Sequence, residues 1–189
     1  MGYWHGFKAH ANRVAAEVRE ELGLEPLDPL DPFALAEHLA IPAAPLSSLR
    51  TTIPDAVHYL ASVDTGAFSA VTLFDGPRRR IVYNDAHSRG RQHSDIAHEC
   101  AHGLLLHPPR LAFDSAGCRD WNADEEDEAN WLSAALLITE QAALHIVRRE
   151  MDVNQAAHYY GVSRQLLRWR INATGAVKRV GRGRAASRR

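Results

Sequence analysis

The sequence is poor in cysteine and has no long hydrophobic run. Cys100 and Cys118 are its only cysteines, and they do not form a C-x-x-C pair. Two cysteines are too few for a disulfide framework, and the missing pair argues against a zinc ribbon or a redox couple. The sequence has no apolar stretch of about eighteen residues, and its start lacks the apolar core of a secretory signal. We therefore expect a cytoplasmic protein with reduced thiols and no membrane partner.

Charge is unevenly distributed along the chain. Residues 178–189 contain six basic side chains and no acid, so the other 177 residues carry a net charge of −7 although the whole chain carries −1. The basic end has no apolar face to bury, which predicts a disordered tail over 178–189. Residues 1–177 are enough for one well-filled core, and we expect a single domain there.

Apolar spacing predicts helices in the first third of the chain. A helix is expected from about residue 9 to 22, where apolar side chains recur at helical intervals. A second should run from Pro32 to about Leu39, because Asp31 is a good N-cap and proline is favoured at the first helical position. Residues 55–62 add a further turn or two.

The middle of the chain predicts a small sheet followed by more helices. The segments AFSAVTLF and RRIVYN, separated by DGP, read as a β-hairpin. A helix should follow and end at Pro108 and Pro109, then a loop over 110–122, a helix from near Asp124, and two or three short helices after Thr139. This order predicts an α+β fold, mostly helical, with a small antiparallel sheet and C-terminal helices resembling a helix-turn-helix.

One short stretch carries the chemistry. His98 and His102 are four residues apart, and Glu99 directly follows the first histidine. On a helix this spacing puts both imidazoles on one face, where they can bind one divalent ion. Zinc accepts imidazole nitrogens, and Glu99 can act on a water molecule at that ion without being a ligand. The H-E-x-x-H pattern therefore predicts a hydrolytic zinc site, although the ligand types also permit manganese or another ion.

An ordinary buried helix is the alternative, because eleven histidines make chance pairs at this spacing common. Apolar residues surround the pair between Ile96 and Leu106. Burying two histidines and a glutamate without a metal or strong partners would cost several kcal/mol. The apolar surroundings therefore favour a metal ion.

A catalytic zinc needs a third protein ligand. Five consecutive acids open the segment DEEDEANWLSAALLI. The helix dipole accounts for acids such as Asp124, Glu125 and Asp127 at a helix N-terminus. Helical spacing puts Glu128 on the apolar face of this helix, so Glu128 is the predicted third ligand and Glu126 the reserve.

These motifs together resemble the ImmA/IrrE family of zinc metallopeptidases. The segments IVYND, RGRQHSDIAHECAHGLLLH and EDEANWLSAALLI carry the resemblance, which covers roughly residues 81–138. It implies that His98, His102 and Glu128 bind zinc and that Glu99 is the catalytic base. It also implies an endopeptidase whose protein substrate is a transcriptional repressor, in a regulatory, phage or mobile-element context. Cys100 departs from the family pattern, and we expect it to be a packing residue.

Two features of the mechanism are open at this stage. A second group that stabilises the oxyanion is usual in such sites, and the candidates by chemistry are Tyr83, His107, His158, Tyr159 and Tyr160. One of the two predicted strands could also present an edge to which an extended peptide substrate adds as a further strand.

A different class of function is suggested near the C-terminus. The segment NQAAHYYGVSRQLLRWR resembles a helix-turn-helix, with a turn at Gly161, Ser163 as N-cap, and Arg168 and Arg170 on the second helix. Together with the basic tail it makes DNA a possible partner. The alternatives to a peptidase are therefore a DNA-binding regulator with a structural zinc site, and a protein-interaction module that keeps the zinc fold.

Overall fold

The computed structural model describes residues 3–76, 78–108 and 122–186. The predicted loop over 110–122 lies almost entirely outside the described residues, as does Cys118. Among the described residues, none of the helices combines the length and the hydrophobicity that a membrane span requires. The helices are α1 (Phe7–Glu21), α2 (Pro32–His38), α3 (Pro54–His58), α4 (Arg89–Leu104), α5 (Ala123–Leu137), α6 (Glu140–Arg148), α7 (Val153–Tyr159), α8 (Arg164–Ala173) and α9 (Ala176–Ala186).

The fold is α+β and mostly helical, as predicted. The Asp31 side chain caps α2 by accepting a hydrogen bond from the backbone N–H of Phe33 at 3.0 Å. Short single-turn elements surround α3: a 3-10 helix over Leu46–Leu49 precedes it, and a π-helical turn over Tyr59–Val63 continues it.

The sheet has three strands in the order β1-β3-β2, with β1 at Ala43–Pro45, β2 at Ala70–Asp75 and β3 at Arg78–Tyr83. The predicted hairpin is confirmed, because β2 and β3 pair antiparallel. The predicted small antiparallel sheet needs one correction, since a third strand, β1, pairs parallel to β3. β1 was not predicted because its three residues are too few to show the alternation of a strand. Its last residue, Pro45, is compatible with the position of β1 at the edge of the sheet.

Alternate residues of β3 pack on opposite faces of the sheet, as the period of a strand requires. Ile81 belongs to the main core beneath α4, whereas Val82 packs with Leu46 and Val57 in a smaller cluster on the other face. The sheet is thereby fixed against α4, with β2 as its outer strand beside that helix.

Helix α5 is the central element, packed between α4 and α1. Every residue from Trp131 to Leu137 is buried. Two buried arginines lie at its C-terminal end: Arg19 donates to the carbonyl of Leu136 at 2.9 Å, and Arg170 donates to that of Ile138 at 2.9 Å. These bonds satisfy carbonyls that the helix leaves without partners, and the positive charges offset the helix dipole.

Helix α4 ends earlier than predicted and for a different reason. It stops at Leu104, before the prolines, because Leu106 adopts a left-handed backbone with φ of 56°. The N–H of Leu106 donates to the carbonyl of Gly103 at 3.2 Å, and that of His107 donates to His102 at 3.0 Å. This pair of bonds is a Schellman motif, which reverses the chain and carries His107 back toward His102.

The two helices of the predicted helix-turn-helix are present. The Ser163 hydroxyl caps α8 by accepting a hydrogen bond from the N–H of Leu166 at 3.1 Å. Gly161 has φ of 63°, and a Cβ at this position would lie 2.7 Å from Nδ1 of His93 on α4. The turn between α7 and α8 therefore packs tightly on the helix that carries the H-E-x-x-H motif.

The predicted disordered tail needs correction, because residues 176–186 form helix α9. Ala176 and Val180 are four residues apart and buried, so this helix has the narrow apolar face that the basic composition obscured. The face packs on α6, and Arg184 pairs with Glu150 at 2.9 Å. Residues 187–189 lie outside the described part of the chain.

Candidate metal centre

Helix α4 brings two histidines together. The Nε2 atoms of His98 and His102 are 3.0 Å apart, and the rings meet edge to face with centroids 4.7 Å apart. The i, i+4 spacing on one helix face produces this arrangement, as the sequence predicted.

Helix α5 brings a carboxylate to the same point. Glu126 has Oε2 at 3.2 Å from Nε2 of His98 and Oε1 at 3.6 Å from Nε2 of His102. Among the described residues these three form a group whose ligand atoms all lie within 4.8 Å of one another. Two imidazole nitrogens and one carboxylate oxygen form a donor set found in catalytic zinc sites, so the residues fit such an ion.

The two histidines differ in electrostatic character. Burial favours the neutral form of His98, but the hydrogen bond with Glu126 and the nearby carboxylates outweigh it and raise the pKa of His98. Burial and the charge of His98 lower the pKa of His102 to about 4. Two imidazole nitrogens at this separation share one proton between them. A cation can take the place of that proton, because both nitrogens and the carboxylate already point at it.

Glu99 lies beside the histidines and is held from the sheet. The Thr72 hydroxyl on β2 donates a hydrogen bond of 2.6 Å to Oε2 of Glu99. Burial raises the pKa of Glu99, against the opposing effect of this hydrogen bond. Thr72 was not predicted from the sequence, because a threonine in an alternating strand carries no signal that marks it as part of a site.

Glu126, rather than Glu128, lies beside the two imidazoles. The carboxylate of Glu128 instead has Oε2 at 3.2 Å from Nε2 of His107. Glu128 was predicted because it shares a face with apolar residues of α5, but the second half of this helix, from Trp131 to Leu137, is buried on all sides, so its apolar residues do not single out the face that meets the metal. A stripe of polar residues identifies the face of α5 that meets the histidines. Glu126, Asn130 and Ser133 lie at helical spacing, and all three line the cleft.

Of the five candidate oxyanion groups, the structure brings His107 closest to this centre. Its Nδ1 is 2.9 Å from Nδ1 of His102. Tyr160 donates its hydroxyl to the Leu27 carbonyl at 3.1 Å, and Tyr83 packs edge to face on Phe33. The side chains of His158 and Tyr159 are exposed on α7.

A cleft of about 1070 Å³ is lined by His98, Glu99 and Glu126. The edge strand β2 borders it on one side and helices α5 and α8 on the other. Apolar side chains form much of the wall, among them Leu60, Phe68, Val71, Leu137, Leu166 and Trp169. Helix α8, the second helix of the predicted helix-turn-helix, thus contributes to the cleft itself.

Cys100, between the two histidines in sequence, is fully buried in the main core. Burial, reinforced by the charge of Glu99, raises the pKa of its thiol to about 12. The expectation that Cys100 serves packing is confirmed by this burial.

Comparison with known proteins identifies a family. The family model of Peptidase M78, described as the IrrE N-terminal-like domain, matches residues 59–172, which is more than half of the chain. The match begins in the π-helical turn, spans the sheet hairpin, α4 and α5, and ends within α8. No curated protein matches the chain. The chain belongs to the ImmA/IrrE family of metallopeptidases.

Proposed function

We propose that this protein is a zinc-dependent endopeptidase in which His98, His102 and Glu126 bind the ion and Glu99 is the catalytic base. One observation carries the proposal: the ligand atoms of the three groups converge, and two of the groups, His98 and Glu126, line an open cleft together with Glu99. This assignment replaces Glu128 by Glu126 and keeps the other predicted roles. The donor set favours zinc over harder ions, which prefer sites made of oxygen ligands alone.

When bound, zinc would polarise the peptide carbonyl and make a water molecule acidic near neutral pH. The side chains of this chain carry the rest of the reaction. Glu99 accepts the proton of the water, whose oxygen attacks the carbonyl carbon of the scissile bond. The carbon–nitrogen bond then breaks, and Glu99 returns the proton to the leaving amine. The raised pKa of Glu99 suits a group that must both take and return a proton.

The cleft suits an extended stretch of polypeptide. β2 is one of the two edge strands of the sheet within the described residues, and its first two residues, with the two that precede them, line the cleft. A peptide can add to such an edge through backbone hydrogen bonds, with its side chains in pockets on alternate sides. The apolar wall that includes Leu166 and Trp169 would take a large apolar side chain of the substrate. Family resemblance extends the proposal to a transcriptional repressor as substrate, in the cytoplasm.

DNA binding stays a prediction from the sequence, and the structure reduces the number of residues on α8 that could contact DNA. Arg170, one of the two basic residues predicted to reach DNA, is fully buried and bonded to the carbonyl of Ile138. Leu166 and Trp169 of α8 face the cleft. Arg164 and Arg168 are the exposed basic residues of α8 and could contact the phosphates of DNA.

The Glu99→Gln variant tests the proposal. Purified protein with stoichiometric zinc is incubated with the repressor encoded beside its gene and, separately, with a diverse peptide library, and the products are mapped by mass spectrometry. We expect new termini with the wild-type protein, none above background with Glu99→Gln, and equal zinc content in both. Glu37→Gln on the exposed side of α2 is the matched control and should cleave as the wild type does. Cleavage by Glu99→Gln at the wild-type rate would overturn the assignment of the base.

A further inference from the structure

The end of helix α4 places a third histidine behind the ligand His102. In the Schellman turn His107 is the residue whose backbone N–H returns to the His102 carbonyl, at 3.0 Å. Side chains at these two positions usually make an apolar contact. Here both are imidazoles, and they meet through their Nδ1 atoms at 2.9 Å, with ring centroids 5.0 Å apart.

The contact continues to a carboxylate. Nε2 of His107 lies 3.2 Å from Oε2 of Glu128, and the side chain of His107 is only 8% exposed. The three groups therefore form a line from His102 through His107 to Glu128, on the side of His102 away from Nε2. Because Nε2 of His102 points at His98 and Glu126, both of its ring nitrogens have a partner.

One arrangement of protons provides a donor and an acceptor for each hydrogen bond between His102, His107 and Glu128. If Nε2 of His102 binds the ion, its Nδ1 carries a proton and donates to Nδ1 of His107. His107 then carries its own proton on Nε2 and donates it to the Glu128 carboxylate. Each nitrogen and the carboxylate has a role that matches its chemistry.

We propose that His107 and Glu128 are positioning residues that hold His102 in the orientation and tautomer that bind the metal. The inference rests on the proposed function, because it assumes that His102 binds the ion through Nε2. Partners behind a ligand histidine of this kind typically contribute about 10- to 100-fold in metal affinity. Glu128, predicted from sequence as a ligand, would then act on the metal through two imidazoles.

The turn itself indicates that the position of His107 is enforced. Leu106 is 81% exposed and has φ of 56°, a conformation that costs a residue with a Cβ about 1 kcal/mol or more. Because the Leu106 side chain is exposed, its packing contributes little to the stability of the turn. Interactions of the neighbouring residues must therefore stabilise the left-handed conformation. The two backbone bonds of the Schellman motif and the line through His107 provide them.

Nuclear magnetic resonance of the histidine ring nitrogens in the zinc-loaded, ¹⁵N-labelled wild-type protein tests the proton arrangement without any substitution. We expect the proton of His102 on Nδ1 and that of His107 on Nε2. A His107 ring that carries its proton on Nδ1 would overturn the proposal, since it could not accept from His102.

Zinc affinity, measured by competition with a chelator, tests the energetic consequence. We expect His107→Phe and Glu128→Leu to bind zinc about 10- to 100-fold more weakly than the wild type. Glu128→Gln, which keeps an oxygen acceptor but loses the charge, should lie between the wild type and Glu128→Leu. Asp127→Asn removes a neighbouring, exposed carboxylate and should change the affinity by no more than about twofold, because solvent and salt screen it.

The outcomes separate the two proposals. If the wild type binds no zinc, the proposed function fails. If the wild type binds zinc and both His107→Phe and Glu128→Leu bind it equally well, the positioning role fails while the metal site stands. Circular dichroism checks that each variant is folded. Leu106→Gly is a further control: glycine adopts the left-handed conformation without strain, so the turn is kept and the zinc affinity should equal that of the wild type.

Discussion

The hydroxyl of Thr72 donates to the carboxylate of Glu99 across 2.6 Å, which links the edge strand β2 to the helix that carries the two histidines. This bond orients the proposed base from outside its own helix. It also makes the position of Glu99 depend on the register of the hairpin, in which Thr72 faces Ile81 of β3. Strand and helix together therefore place the base.

We predict that Thr72→Val lowers kcat while zinc content is unchanged. A hydrogen bond to a charged group contributes about 1.5–3 kcal/mol, which corresponds to a loss of roughly 10- to 100-fold. Thr72→Ser keeps the hydroxyl and should restore most of the rate. The rates at which the wild type and the two variants cleave one substrate are compared under single-turnover conditions. Thr52→Val, at an exposed threonine, is the control, and a wild-type rate for Thr72→Val would remove Thr72 from the mechanism.

Arg170→Met should destabilise the fold. Arg170 is fully buried and donates to the carbonyl of Ile138 and to the side-chain oxygen of Asn12, both at 2.9 Å. Each buried acceptor left without a donor costs about 1–3 kcal/mol, so we expect the free energy of unfolding to fall by at least about 2 kcal/mol. Urea unfolding followed by circular dichroism measures it. Arg168→Met on the exposed face of the same helix should stay within about 0.5 kcal/mol of the wild type.

The helical C-terminal end can be distinguished from a disordered tail by one valine. Val180 is buried and Val177 is 59% exposed on the same helix. We expect Val180→Ala to lower the free energy of unfolding by about 1–2 kcal/mol and Val177→Ala to leave it nearly unchanged. Equal stability of the two variants in thermal unfolding would favour a tail that packs on nothing.

Cys100 should resist alkylation in the folded protein. A thiol with a pKa of about 12 is almost wholly protonated at pH 8, and the protonated form does not react. Raising the pH from 7 to 9 should therefore produce little labelling by iodoacetamide while the fold persists, and labelling should become rapid in urea. Peptide mapping by mass spectrometry reports Cys100 separately from Cys118. Fast labelling of native Cys100 would mean that its thiol is exposed.

Local signals in the sequence were enough for most of the elements. Helices α2 and α8 begin at side-chain caps, Asp31 and Ser163, whose chemistry is readable from neighbouring residues alone. The spacing of His98 and His102 likewise defines their shared face wherever the helix lies. These features depend on contacts within about four residues, and the structure has them as predicted.

Features that depend on packing between elements distant in sequence could not be predicted from local sequence signals. The choice between Glu126 and Glu128 depends on how α5 is rotated against α4, and the apolar pattern of α5 gives no single inward direction because its second half is buried on all sides. The early end of α4 depends on a leucine in a left-handed conformation, which composition does not predict. The parallel strand β1 is held by its partner β3, since its own three residues show no strand pattern.

The most direct test of the central claim is an anomalous difference map at the zinc absorption edge, from crystals of the protein grown with zinc. We predict one strong peak within about 2.0–2.2 Å of Nε2 of His98, Nε2 of His102 and a carboxylate oxygen of Glu126, with Glu99 outside ligand distance. A peak bound by Glu128 in place of Glu126, or no peak between the two histidines, would contradict it.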